Sequence, residues 1–163
     1  MPIHLIQVPY DSGHRALRMG RGPLHLAERG GALDRLRRVT PDARLVPVES
    51  EATFPTEIGT QFELHRTVAE VVAAAWRGGA LPLVLSGNCN SAIGTVSGLQ
   101  AAAPGARVGV VWFDGHGDCN TPETFEGTFL DAMGLSTLTG RCWQALCATV
   151  PGFRSVPMHA WFS

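Results

Sequence analysis

The sequence predicts an α/β fold in which a parallel sheet carries helices on both of its faces. Short apolar segments typical of strands alternate along the chain with segments whose apolar residues recur at helical spacing. One segment, Val108 to Phe113, has no polar residue at six consecutive positions, which is typical of a strand buried on both faces. The 19 glycines and 11 prolines among 163 residues favour a loop-rich α/β chain over a helical bundle.

The first part of the chain contains two predicted strands and an interrupted helix. Ile3 to Val8 is an apolar segment that predicts the first strand, and Arg44 to Val48 predicts the second. Between them, Pro23 suits the first turn of a helix over about 23–38. Gly30-Gly31 should interrupt that helix near its middle, because glycine is a poor helix former.

The middle of the chain predicts two further strand and helix pairs. After a loop over 49–60, Gln61 to Arg77 carries apolar residues at three- and four-residue spacing and predicts the clearest helix. Leu81 to Leu85 predicts a buried strand, and a second helix is expected over about 91–102. Nearer the end, a helix over about 130–148 would contain two of the four cysteines.

Composition excludes several function classes. All 13 basic residues are arginine, so chemistry that needs a lysine Schiff base or a Walker lysine is excluded. The net charge of -1 with dispersed signs indicates no nucleic-acid surface, and no apolar run is long enough to span a membrane. The cysteines form no C-x-x-C pair and the first residues contain no basic leader, so we expect a reduced, cytoplasmic protein.

The candidate site lies directly after the predicted strand 108–113. Asp114, His116 and Asp118 stand at alternate positions, so in extended chain their side chains would share one face. Two carboxylates brought together repel each other unless a cation lies between them. Two oxygen ligands with one imidazole suit Mn²⁺ or Mg²⁺ better than Cu⁺ or a structural Zn²⁺. The alternative is a polar turn in which His116 is hydrogen-bonded to one of the aspartates.

Several motifs together resemble the ureohydrolase family, which comprises arginase, agmatinase and formiminoglutamase. The run from Asp114 to Thr124 reads D-x-H-x-D-x-N-T-P-E-T, with Gly115 where that family usually has alanine, and it is most similar to the arginase branch. The stretch from Asp11-Ser12-Gly13 through Gly20-Arg21-Gly22-Pro23 resembles the family's first loop. The segment from Ser86 to Gly98 resembles its G-G-D-H-S-x-x-x-G-T-x-x-G motif.

The resemblance implies a three-layer α-β-α fold and a site with two Mn²⁺ ions that activate water for attack on a guanidinium carbon. Asp114, His116 and Asp118 match three of the family's metal ligands. Asn120 matches a residue that contacts the substrate's α-carboxylate. The implied substrate is a guanidino amino acid, arginine or N-hydroxyarginine, rather than the decarboxylated agmatine, and the products are urea or hydroxyurea and the amine.

Two positions at which the family has functional histidines carry other residues here. Asn90 stands where the family has its first histidine ligand, and an amide is a weaker Mn²⁺ ligand than imidazole. We expect the adjacent Cys89 to point elsewhere as a small buried side chain. Asp131 stands where the family has a proton-shuttling histidine. It could relay a proton only if its pKa were raised from about 4, and the alternative is that it caps a helix.

The family's last ligand motif, S-x-D-x-D-x-x-D-P, is absent from the sequence. Residues 1–163 are therefore predicted to be the N-terminal part of a single ureohydrolase domain, with at most one weak Mn²⁺ site. The alternative is a catalytically silent remnant or subunit. Because the family is commonly oligomeric and an unpaired sheet edge invites association, a homo-oligomer is also expected.

Overall fold

The computed structural model describes residues 1–28, 30–50, 56–127 and 129–157. Short 3₁₀ turns at Arg18–Gly20, Cys89–Ser91 and Leu130–Met133 accompany the strands and α-helices. The strands and α-helices in chain order are β1 (Ile3–Val8), β2 (Tyr10–Asp11), β3 (His14–Arg15), α1 (Arg21–Ala27), α2 (Ala32–Val39), β4 (Arg44–Pro47), α3 (Glu57–Arg77), β5 (Leu81–Ser86), α4 (Ala92–Ala102), α5 (Gly134–Leu138) and α6 (Gln144–Cys147).

The main sheet confirms the predicted parallel α/β architecture. Its strand order is β4-β1-β5, and both neighbours run parallel to the central β1. Leu5 at the centre of β1 lies opposite Leu45 of β4 and Leu83 of β5. The short β2 and β3 form a separate antiparallel hairpin, whose turn residues Ser12 and Gly13 both have positive φ.

Helices cover both faces of this sheet, so the predicted three layers are present. Successive side chains of a strand point to opposite faces. On one face, Ile6 and Val8 of β1 pack with Val68 of α3 in one apolar cluster. On the other face, Leu5 packs with Leu33 of α2 in a second cluster.

The helices predicted over 23–38 and 61–77 are present and differ at their bounds. The helix expected over 23–38 is interrupted as predicted, ending at Ala27 and starting again at Ala32. The long helix starts at Glu57, not Gln61, because the Thr56 hydroxyl accepts a hydrogen bond from the Gly59 N–H and caps it there. Of the loop expected over 49–60, residues 51–55 lie outside the described residues.

The single helix expected over 130–148 is wrong. The structure has a 3₁₀ turn followed by the short helices α5 and α6 in that region. Gly140 and Trp143 both have positive φ between α5 and α6, and a helix cannot continue through that conformation. Every helix in the described part of the chain is too short or too polar to span a membrane.

The strand predicted over 108–113 is also wrong. The segment forms no sheet ladder with the described residues, and its side chains alternate between packing and exposure. Val108, Val110 and Trp112 pack against α4 and α5, whereas Phe113 is fully exposed. The apolar run therefore has one covered face, and β5 pairs only with β1 among the described strands.

A buried histidine lies at the interface of α3 with its neighbours. His65 is 1% exposed, its Nδ1 has no hydrogen-bond partner among the described residues, and its ring meets Phe62 edge-on. Burial, followed by the nearby Arg66 charge, lowers the pKa of His65 from 6.5 to about 3. The imidazole is therefore neutral in the folded chain.

This burial predicts a loss of stability in acid. Because the folded pKa lies below the unfolded value of 6.5, the stabilising effect is complete above pH 6.5 and is lost as pH falls towards about 3. Urea unfolding should show a loss of about 3 kcal/mol between pH 7 and pH 4.5 from this residue. The apolar variant His65→Met should flatten that slope, and His14→Gln, at an exposed histidine, should not. An unchanged slope in His65→Met would contradict the assignment.

Candidate metal centre

Buried polar side chains gather beyond the carboxyl ends of β1 and β5. Asp11 follows β1 and Asn88 follows β5, and the Asn88 Nδ2 donates to Asp11 Oδ1 at 3.4 Å and to Asp131 Oδ2 at 2.7 Å. The Gln61 amide of α3 donates to Asn88 Oδ1 at 2.8 Å. This edge is where ligands bind in open parallel sheets, because the connecting loops leave the sheet there.

Asp131 holds the loop after β5 in place. Its Oδ1 accepts a hydrogen bond from the Asn90 N–H at 3.0 Å, at the 3₁₀ turn that leads into α4. This is a capping contact with a helix far away in the sequence. Burial raises the pKa of Asp131, although hydrogen bonds from Asn88 and from the backbone N–H groups of Asn90 and Cys89 oppose the effect.

The segment 114–118 is bent, not extended. The His116 N–H donates to Asp114 Oδ1 at 2.9 Å, and the His116 Nδ1 lies 3.5 Å from the same oxygen. The His116 side chain is 88% exposed, and Asp118 has a positive φ of 44°. The three side chains therefore do not share one face as expected, and the contacts of His116 are those of the polar-turn alternative.

Cys89 occupies the place beside the two aspartates. One ligand atom from each of Cys89, Asp114 and Asp118 can be chosen so that all three lie within 4.8 Å of one another. The Cys89 Sγ donates to Asp114 Oδ2 at 3.4 Å. The expectation that Cys89 is buried and points elsewhere is wrong, because the 3₁₀ turn at Cys89–Ser91 turns this side chain towards segment 114–118 and leaves it exposed.

The charges in this cluster affect one another. The His116 backbone N–H and the Cys89 thiol hold the pKa of Asp114 below its ordinary value. Burial, and then the Asp114 charge, raise the pKa of Asp118. Burial and the thiol's hydrogen bond to Asp114 raise the pKa of Cys89 to about 12. The folded chain therefore keeps a proton on sulfur between two carboxyl groups.

Two buried oxygens at this edge have no hydrogen-bond partner among the described residues. They are Oδ2 of Asp118, a residue 9% exposed, and Oδ1 of Asn90, which is 2% exposed. The Trp112 indole lies close to Asp118, yet its N–H also has no hydrogen-bond acceptor among the described residues. Buried acceptors without donors are costly, and a cation would satisfy them, so the donor set fits a metal ion.

An open cleft lies next to the cluster. Its volume is about 540 Å³, and it is lined by His116, Gly117, Asp118, Cys119, Asn120, Phe125, Phe129 and Ala132. The backbone N–H of Asn120 donates to the Ala132 carbonyl at 3.0 Å, which fixes the loop that carries this side chain. Asn120 therefore lines the same cleft as Asp118 and His116.

The fold and the site define an α/β protein with a candidate metal centre beyond the carboxyl ends of parallel strands. The arginase family model matches residues 1–157. The chain therefore belongs to the arginase family, as the resemblance predicted.

Individual relatives agree with this assignment. The arginase of Bacillus caldovelox is 33% identical, with 85% of this chain and 49% of the relative covered. The crystal structure of Entamoeba histolytica arginase in complex with L-ornithine superposes with a TM-score of 0.80 at 26% identity, covering 94% of this chain and 54% of that one. Bacillus cereus arginase gives the same TM-score at 27% identity. The chain spans about half the length of the relatives it matches.

Proposed function

We propose that residues 1–163 form the N-terminal part of a single arginase-type domain and contribute one manganese position of a guanidino-compound hydrolase. The observation that carries the proposal is the convergence of Asp114 and Asp118, with a buried Asp118 oxygen to which no group in the described part of the chain donates. When bound, manganese would lower the pKa of water, so that hydroxide becomes available at neutral pH to attack a guanidinium carbon. The exposed His116 ring, which already lies 3.5 Å from Asp114, would be a further ligand, and Asn90 would offer a buried oxygen that has no hydrogen-bond partner among the described residues.

The substrate we propose is arginine or N-hydroxyarginine. Asn120 lies at the cleft beside Asp118, where an amide can donate to a carboxylate. The neighbour structure that holds L-ornithine supports an amino-acid ligand for this fold. Asp131 is proposed as the proton relay, because burial raises its pKa in the direction that this role requires.

A silent subunit is the second candidate function, and one observation favours it. Residues 86–91 contain no histidine, whereas the family's G-G-D-H-S motif supplies an imidazole there as a manganese ligand. The edge of β5 that no described strand covers would favour a homo-oligomer in either case. A cytoplasmic location stays a prediction.

Manganese titration with an activity assay tests the proposal. We expect calorimetry to detect weak Mn²⁺ binding that Asp114→Ala abolishes, because this carboxylate is the most readily ionised of the cluster. The exposed Asp42→Ala is the matched control. Undetectable binding at millimolar Mn²⁺ would overturn the metal position. Urea release from arginine, lost in Asp114→Ala, would decide for the hydrolase over the silent subunit.

A further inference from the structure

We infer that Cys89 is a metal ligand, and that the Cys89–Asp114–Asp118 cluster binds a thiophilic divalent ion of the Zn²⁺ or Co²⁺ type in preference to Mn²⁺. This inference concerns the metal position of the proposed function and changes which ion that position selects. It has its own geometric basis, the approach of one sulfur to two carboxylate groups.

The position of the thiol follows from the fold. Cys89 lies in the turn between β5 and α4. Asp131 holds that turn in place, because it accepts hydrogen bonds from the Asn90 N–H and from the Asn88 side-chain amide. The Sγ atom is therefore fixed on the side of Asp114, at 3.4 Å from its Oδ2. A sulfur at this distance from a carboxylate needs only a small adjustment for both to contact one ion.

A second observation points to a ligand independently of the cysteine. Asp118 is more than nine-tenths buried, belongs to the same cluster, and has an oxygen with no hydrogen-bond partner among the described residues. Asn90, next to Cys89, has a similarly buried and unpartnered oxygen. A polar turn would account for His116 but leaves both of these acceptors unsatisfied, whereas an ion would satisfy at least the carboxylate.

The donor types then decide the class of ion. Mn²⁺ and Mg²⁺ favour oxygen ligands, whereas a thiolate favours zinc and similar softer ions. Three protein ligands leave one tetrahedral position open, which is the arrangement of catalytic zinc sites. The thiol loses its proton on binding, since the thiolate is the form that ligates metals.

Cobalt absorption spectroscopy of the reduced, chelator-treated protein tests this inference without an activity assay. We expect Co²⁺ to produce a sulfur-to-cobalt charge-transfer band in the near ultraviolet. Added Zn²⁺ should displace the Co²⁺ and remove the band. Cys89→Ser should remove the band. It should also weaken Zn²⁺ binding by at least about tenfold, because even the loss of a hydrogen bond that supports a metal ligand can cost that much. Mn²⁺ binding should change much less.

Cys119→Ser is the matched control. Cys119 is also exposed and lies in the neighbouring loop, where its Sγ contacts the Gly117 carbonyl, not the aspartates. This variant should keep the band. A band that survives in Cys89→Ser, or no band in the wild-type chain, would overturn the inference. If Mn²⁺ binding needs Asp114 and no cobalt–sulfur band appears, the proposed function stands and this inference fails. If the band appears and Mn²⁺ does not bind, this inference stands and the proposed manganese position fails.

Discussion

Replacing Gly98 with alanine is expected to destabilise the chain by about 2 kcal/mol or more. A Cβ at this position would lie 2.6 Å from the Ala69 carbonyl oxygen and 2.7 Å from the Val72 Cβ. The first of these atoms belongs to the backbone of α3 and cannot move without moving the helix. In an exposed helix the same substitution is favourable by about 1 kcal/mol, so the close packing of α3 and α4 reverses the usual sign.

Gly22→Ala in α1 is the matched control for this effect. A Cβ at Gly22 would meet no atom within 4 Å, so this variant should be neutral or slightly more stable. Urea unfolding of both variants, with the free energy of unfolding compared to the unsubstituted chain, measures the difference. If Gly98→Ala were as stable as Gly22→Ala, the close contact of the two helices would be refuted.

Local sequence signals predicted most of the fold. Strand β1 and the break between α1 and α2 could be predicted because apolar periodicity and paired glycines act within a few residues. The segment 108–113 could not, because an apolar run does not state whether strands pair with it on both sides. The start of α3 was missed by four residues, since the cap at Thr56 precedes the periodic pattern.

The candidate site was predicted in part for the same reason. Asp114 and Asp118 were found because they are close in sequence, and the structure brings them together. Cys89 was missed because its contact with Asp114 spans 25 residues and depends on the turn after β5. One signal was available: with Gly94, Thr95 and Gly98 at their places in the G-G-D-H-S-x-x-x-G-T-x-x-G motif, its histidine falls on Cys89, and the assignment of that ligand position to Asn90 is wrong by one residue.

The buried network around Asn88 had no sequence signal at all. Asp11, Gln61 and Asp131 come from distant parts of the chain. Only the folded arrangement of the loops and α3 around the sheet edge brings them to the Asn88 side-chain amide. Asp11 keeps a pKa below its ordinary value despite burial, because Arg18, the Met19 N–H and Ser12 donate to it. No arginine among the described residues contacts Asp131, and burial raises its pKa, so the two carboxylates of the network differ in character.

Asp118→Asn is expected to separate metal binding from stability. The variant should weaken Mn²⁺ or Zn²⁺ binding by at least about tenfold, because a carboxylate ligand becomes an amide. In chelator-treated protein it should raise the free energy of unfolding at neutral pH, because the amide carries no charge. The gain arises because burial and the Asp114 charge disfavour the ionised Asp118 carboxyl in the folded chain.

The pH dependence distinguishes this charge effect from a packing effect. The folded pKa of Asp118 lies above its unfolded value of 3.8, so the wild-type chain loses stability as pH rises through the folded pKa. The advantage of Asp118→Asn should therefore be present at neutral pH and should disappear below about pH 4, where the carboxyl is protonated in both states. Asp42→Asn, at an exposed position, should show neither effect. If the variant instead lost stability at neutral pH and kept its metal affinity, Asp118 would be a structural carboxylate. A metal ligand beside another carboxylate destabilises the metal-free fold, and the bound ion restores that stability.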